Sequence, residues 1–346
     1  MLRYQSYIEP VTLDGLRMNH APAPGLGLVF ICPFAVCTSE SGRMFQLMRG
    51  VNGRRKGVTL NFGIYEVTDE LDIQGPFLYD AKTAPVLEAL KVSEREGRVC
   101  YEGDHHSLQF GLDGHRWIDA GGKVDLRIET VGQVSTFHIP EQERLKHPQM
   151  LRSHMGRVTG VIDGEAVAGL FMVDFIYSRP DLLWNEMGMM SELHNVWLNW
   201  LVEYEDGGYE GGLAWRGRPG SGFHAAHHVI DGQSVGRCDA RIELETTARG
   251  TPTRVRLSLG DDTHVELTQK GSQDWPMHTC GHVTAINRDR KIARSWNYTE
   301  FYPLNWPRVL DYFKAYEGLH GRPPSWRKTF QGARIVDQNV VWDSQG

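Results

Sequence analysis

What most constrains the fold of this chain is its turn grammar. Short segments that alternate apolar with polar residues are broken again and again by Asp-Gly or Gly-rich dipeptides. Asp163-Gly164, Asp206-Gly207-Gly208, Asp231-Gly232 and Gly260-Asp261-Asp262 each stand between two such segments, and Arg288-Asp289-Arg290 supplies a further charged break. Asp-Gly tolerates the positive φ angles of a tight hairpin turn, and a two-residue period is that of a half-buried strand. Val58, Leu60, Phe62 and Ile64 against Thr59, Asn61, Gly63 and Tyr65 follow that period. The chain therefore reads as mainly β and antiparallel.

A length of 346 residues exceeds the usual size of one hydrophobic core, so two lobes are expected, 1–190 and 191–346. Segments from Leu26–Cys32 to Gln133–Ile139 form a first meander, preceded by an irregular arm with Pro10, Pro22 and Pro24. Pro140–Met155 is polar and holds Pro148, so it reads as a connection into a hairpin made of Arg157–Ile162 and Glu165–Val173. Four hairpins between Asn195 and Tyr302 give about eight strands, the number that closes into a small barrel around side chains or one ligand. A short helix is expected at Ala81–Leu90. An amphipathic one is expected at 305–319, where Trp306, Val309, Leu310, Phe313 and Tyr316 share a face, and Arg334–Trp342 can return as a strand. Neither lobe is expected to fold alone, because the aromatic faces of Met187–Trp200 would be left exposed.

Charge and motifs exclude several function classes. A formal net charge of −6 with scattered Lys and Arg offers no footprint for nucleic acid, and no window of about 18 apolar residues would span a membrane. Five widely spaced cysteines without a C-x-x-C pair suit a reducing cytoplasm. There is no G-x-S-x-G, P-loop or dinucleotide fingerprint, and the Gly-rich segment Gly217–Gly222 joins two strands, so no organic cofactor is expected. Ten Trp, twelve Tyr and thirteen Phe beside 38 Gly favour β-walls around an apolar cavity, and hence a hydrophobic small-molecule partner.

The chemistry concentrates in the seam from Gly169 to Tyr204, where Asp174, Tyr177, Arg179, Trp184, Glu186 and His194 lie among apolar residues. Burying such groups costs several kcal/mol unless each finds a partner, so the seam is either an ion-pair network in which Arg179 pins Asp174, or a working site. On a strand, Asp174 and Ile176 face one way, and Phe175 and Tyr177 the other. In the second reading Asp174 or Glu186 is a desolvated acid with a raised pKa, able to protonate an alkene or carbonyl. Trp197, Trp200, Trp215, Trp296 and Tyr298 are candidate walls. His224 and His228 share one strand face, with His227 on the other, and are read as candidate ligand contacts. His278, Cys280 and His282 alternate on one face and could in principle hold zinc. Same-face neighbours along a strand sit about 7 Å apart, which strains such ligation, so no metal is expected and His278 and His282 are read as ligand-facing.

The order of parts, with R-x-T-G at Arg157–Gly160, a hairpin into D-x-x-Y at Asp174–Tyr177, and a second run of about eight strands, resembles a two-lobed lipocalin-like family. That family includes the carotenoid 1,2-hydratases (hydroxyneurosporene synthases), related secreted hydrolase-like proteins and fungal cyclases. The resemblance spans roughly residues 26–342. The family's polar His/Asp/Trp segment corresponds to Met172–Trp184, which keeps Asp174, Arg179 and Trp184 and lacks both histidines and the final Gly. The resemblance implies a ligand site between the lobes or in a barrel mouth, lined by aromatics and a few acids, without an organic cofactor. Two functions follow as expectations. One is a cofactor-independent enzyme that hydrates, isomerises or cyclises an isoprenoid, polyketide or steroid-like molecule. Asp174 would be its acid, Glu186 or His194 the partner, and Tyr177, Trp184 and Trp197 the wall. The other is a non-catalytic carrier of an apolar ligand.

Overall fold

The computed structural model describes residues 1–302, apart from 53–57, 72–76, 81, 86–87, 183–186, 188, 238–239, 249 and 275–277, and beyond them residues 333–336 and 339–342. Two antiparallel sheets account for nearly all of it. The first contains β1 (Gln5–Glu9), β2 (Gly27–Ser39), β3 (Met44–Asn52), β4 (Val58–Val67), β5 (Lys91–Arg95), β6 (Arg98–Glu102), β7 (Ser107–Gly111), β8 (Gly114–Asp119), β9 (Val124–Ile139), β10 (Gln149–Ile162) and β11 (Glu165–Ser178). Their order is β4-β3-β2-β11-β10-β9-β8-β7-β6-β5, with β1 paired to β9. The second contains β12 (Val196–Tyr204), β13 (Tyr209–Arg216), β14 (His224–Ile230), β15 (Gln233–Arg237), β16 (Ala240–Thr246), β17 (Pro252–Leu259), β18 (Thr263–Asp274), β19 (His278–Ile286) and β20 (Ile292–Phe301), ordered β15-β14-β13-β12-β20-β19-β18-β17-β16. Each sheet curls on itself, so the molecule is mainly β with two lipocalin-like lobes, as the sequence implies. A separate hairpin pairs β21 (Ala333–Val336) with β22 (Asn339–Trp342). Among the described residues, no helix is long and apolar enough to cross a membrane.

Turn chemistry accounts for the hairpins. Asp163 and Gly164 take φ of 53° and 79°, and Asp231 and Gly232 take 45° and 85°, the paired positive values of a primed turn. β10 and β11 run in unbroken register through that first turn, from Ile162 opposite Glu165 to Met150 opposite Tyr177.

The two-residue period sorts side chains into three apolar layers. Leu47, Phe110, Trp117, Phe171 and Phe175 fill the inside of the first lobe. Leu198, Trp200, Leu257 and Val265 fill the second. Between them, Phe34, Phe137, Met155 and Met172 from the first sheet meet Trp197, Trp215, Trp296 and Tyr298 from the second. Each such large side chain removed from water contributes roughly 1.5–3 kcal/mol. β11 and β12 face a core on both sides, and every residue of β12 is buried.

Several expectations are corrected. The connection 140–155 ends early, because Gln149–Met155 is the first half of β10 and is wholly buried. Its one cation is satisfied by remote partners: Arg152 binds Glu9 at 2.7 Å and the Gly15 carbonyl at 3.1 Å. The arm is not irregular throughout, since β1 pairs with β9 and Leu16 is fully buried. Among the described residues of 81–90 there are turns rather than a helix, with the amides of Lys82 and Thr83 bonded to the Asp80 side chain. The second sheet has nine strands rather than eight, because 234–246 divides into β15 and β16 at opposite edges. Residues 334–342 are shared between two strands rather than forming one. The helix expected at 305–319 lies outside the described residues.

Candidate functional site

One place in the largely apolar layer between the lobes gathers ionisable side chains. On β11, Asp174 stands in a row with Ser153 of β10 on one side and Cys32 of β2 on the other. The Ser153 hydroxyl donates to Asp174 Oδ1 at 2.5 Å. Among the described residues this is the only hydrogen bond to that carboxyl. Burial pushes the Asp174 pKa up to about 8; the Ser153 bond opposes this and the nearby Glu300 charge adds to it.

The second sheet supplies the rest. β20 carries Trp296, Tyr298 and Glu300 at alternate positions, all facing the seam. Glu300 receives the Tyr298 hydroxyl at 3.0 Å, has His194 Nε2 at 2.8 Å and His278 Nε2 at 3.8 Å. Burial pushes the Glu300 carboxyl up, but the histidines and Tyr298 outweigh it and hold the group below its ordinary value. His194 follows a single π-type turn, Met189–Leu193, closed by its own N–H to the Met189 carbonyl at 2.9 Å. Such turns often mark functional positions. The site thus has a carboxyl that keeps its proton and a carboxylate that does not, in one buried layer.

Aromatic walls surround them. Phe34 stacks on Tyr298 at 4.5 Å and meets Trp197 edge-on at 5.1 Å, while His194 packs on Tyr302 at 4.3 Å. Asn199, fully buried and opposite Tyr298 across β12 and β20, has no hydrogen-bond partner for either amide atom among the described residues. An orphaned amide among apolar groups costs about 1–3 kcal/mol, and the group is suited to meet a ligand carbonyl or hydroxyl.

Of the residues singled out from sequence, Asp174, His194, Trp197, Trp215, His278, Trp296 and Tyr298 lie in this layer. Tyr177 does not: it faces the first lobe's interior, its hydroxyl 3.4 Å from the Gly15 carbonyl. Arg179 is exposed and pairs with Asp181 at 2.7 Å, not with Asp174. Trp184 and Glu186 lie outside the described residues. Trp200 and His228 face the second lobe's interior, where His228 Nε2 is 2.7 Å from Glu210. His224 is exposed, whereas its neighbour His227 reaches Ser6 at 2.8 Å on the opposite face. His278, Cys280 and His282 turn to separate partners: Glu300, Met44 at 3.9 Å and the Ser295 carbonyl at 2.8 Å. Among the described residues, no three metal-type side chains converge.

Glu300, Ser153 and Asn199 went unnoticed in the sequence. For Glu300 a signal existed, since the same period that flags Asp174 places a carboxylate at the end of the Trp296-Tyr298 row.

No family model and no curated protein sequence matches the chain. Among solved structures, it is similar to a candidate AttH protein of Nitrosomonas europaea, with 11% identity and a TM-score of 0.38, over 79% of this chain and 92% of that one. It is also similar to kievitone hydratase from Nectria haematococca, with 7% identity and a TM-score of 0.36, over 79% and 89% of the two chains. Likenesses this distant assign neither an activity nor a residue role.

Proposed function

We propose that this protein is a cofactor-independent acid/base enzyme that hydrates or isomerises an oxygenated, largely apolar small molecule between its two lobes. The observation that carries the reading is the pairing of opposite protonation states: Asp174, held protonated to about pH 8, and Glu300, held ionised beside His194. A general acid and a general base need this separation, because proton transfer is most effective when each group stands in its reactive form at the working pH.

In a hydration, Asp174 would place its proton on one alkene carbon. His194, oriented by Glu300, would take a proton from the water that adds at the other. In an isomerisation, the base would remove a proton that the acid returns elsewhere. Phe34, Trp197 and Tyr298 offer π faces to developing positive charge, and Asn199 would hold a carbonyl or hydroxyl of the substrate.

The test is a panel of alkene and enone isoprenoids and polyketides, followed by mass spectrometry for gain of one water and for deuterium uptake from heavy water. The native protein should turn over at least one, and Asp174→Asn should lose that turnover while binding persists within severalfold. A native protein that binds but never exchanges deuterium or adds water would leave the carrier reading in its place.

A further inference from the structure

Away from the seam layer, on the outward face of the first sheet, lies a cleft of about 480 Å³. It is walled by β6–β10 of the first lobe and rimmed by Glu203 and Arg294 of the second, with five arginines against three carboxylates. That surplus of positive charge sits on a chain whose net charge is −6.

The strand register explains what the cleft presents. Gln109 of β7 faces Arg116 of β8, Arg116 faces Arg127 of β9, and Arg127 faces Thr159 of β10. Four consecutive strands thus contribute side-chain donors in one transverse row. Leu126 and Ile128, the neighbours of Arg127, are buried in the first lobe's core, so the arginine points outward. Arg116 and Arg127 are directly opposed. Like charges so placed are destabilising. Arg116 is relieved by Asp125, through bonds of 2.8 and 2.9 Å. Arg127 is exposed and has no ion pair or hydrogen bond among the described residues, although its charge also helps to hold the Asp125 carboxyl below its ordinary value. The other three arginines are occupied: Arg98 by Asp113, and Arg157 and Arg294 by Glu203.

We propose that this row is an oxyanion site, in which the phosphoryl group of a small molecule sits between Arg116 and Arg127 with Thr159 beside it. Two guanidiniums on neighbouring strands match the spread of a phosphoryl group's oxygens, and a dianion turns their mutual repulsion into two attractions. The cleft is far larger than one phosphoryl group, leaving room for an organic portion.

Thermal unfolding tests this with inorganic phosphate, phenyl phosphate and, at matched ionic strength, chloride. The native protein should show a saturable rise of about 2–4 °C with a phosphoryl compound and none with chloride. Arg127→Gln should melt at or above the native temperature without phosphate, since a repulsion is removed, and should lose the saturable rise. Arg95→Gln, which alters an exposed arginine outside the cleft, should keep it. A stronger response to phenyl phosphate would identify a phosphate monoester as the ligand, and equal responses would identify free phosphate. An unsaturating rise of equal size in native protein and Arg127→Gln, as general salting-out gives, would overturn the site. So would a lowered melting temperature of Arg127→Gln without phosphate, because Arg127 would then have a structural partner.

Discussion

Asp119 and Asp174 are both buried in this molecule, and they are treated oppositely. In the first lobe's interior, Asp119 accepts two hydrogen bonds from the equally buried Arg49 at 2.6 and 2.5 Å, one from the Trp117 indole at 3.1 Å and one from the Ala120 amide at 2.6 Å. In the layer between the lobes, Asp174 receives one serine hydroxyl. A carboxylate enclosed by donors and a cation is architecture: its charge is stabilised wherever it stands. A carboxyl enclosed by apolar groups and one hydroxyl keeps its proton instead, and a retained proton is available for transfer. The lesson is that burial alone does not mark a reactive acid; the count of donors does.

The largest effect should come from breaking the architectural member. Asp119→Ala leaves Arg49 charged and buried without its partner, so unfolding by denaturant should show a loss of about 3–5 kcal/mol. Asp174→Asn should do the reverse. It should unfold no more easily than the native protein at neutral pH, yet lose about 10²–10⁴-fold in turnover of a substrate found by the panel above. Unchanged turnover would end the role proposed for Asp174.

The pH dependence sharpens the contrast. A carboxyl whose folded pKa is about 8, against 3.8 as the ordinary value, binds more protons folded than unfolded between those limits. Its contribution to stability is therefore fully present below about pH 4 and is lost as pH rises toward 8, at up to about 1.4 kcal/mol per unit. Melting curves across that window should slope downward for the native protein and flatten for Asp174→Asn. Turnover that depends on the protonated acid should fall above about pH 8. The smallest effect belongs to Ser153→Ala: without the hydroxyl that favours the ionised form, the alkaline fall in activity should move up by about half a pH unit to one unit.

How much of this was legible in the sequence follows from how local each feature is. The Asp163-Gly164 and Asp231-Gly232 hairpins are written in neighbouring residues, and so is the two-faced alternation that points Asp174 away from Phe175. The use of Gln149–Met155 as strand is not. Its polar residues argue for a surface loop until Glu9 and Gly15, far away in the chain, are seen to satisfy Arg152. Glu300 was hidden for a related reason. Its histidines come from the turn before β12 and from β19, and only the pairing of β12 with β20 and of β20 with β19 brings the three together. Arg179 misled because a cation five residues from an acid looks like its partner; on the structure it lies beyond the end of β11, beside Asp181.

β11 has one side toward its own lobe and the other toward the neighbouring one. On that second side the apolar layer around Asp174 is completed by the second sheet, whose Trp197, Trp296 and Tyr298 pack in one cluster with Phe34 and Met172. Without the second sheet that face of β11 would be open to water, and its carboxyl would ionise like a surface aspartate. The proton it holds depends on the burial that the two lobes create together. Acidity at this position is thus a property of assembly, absent from either part before they meet.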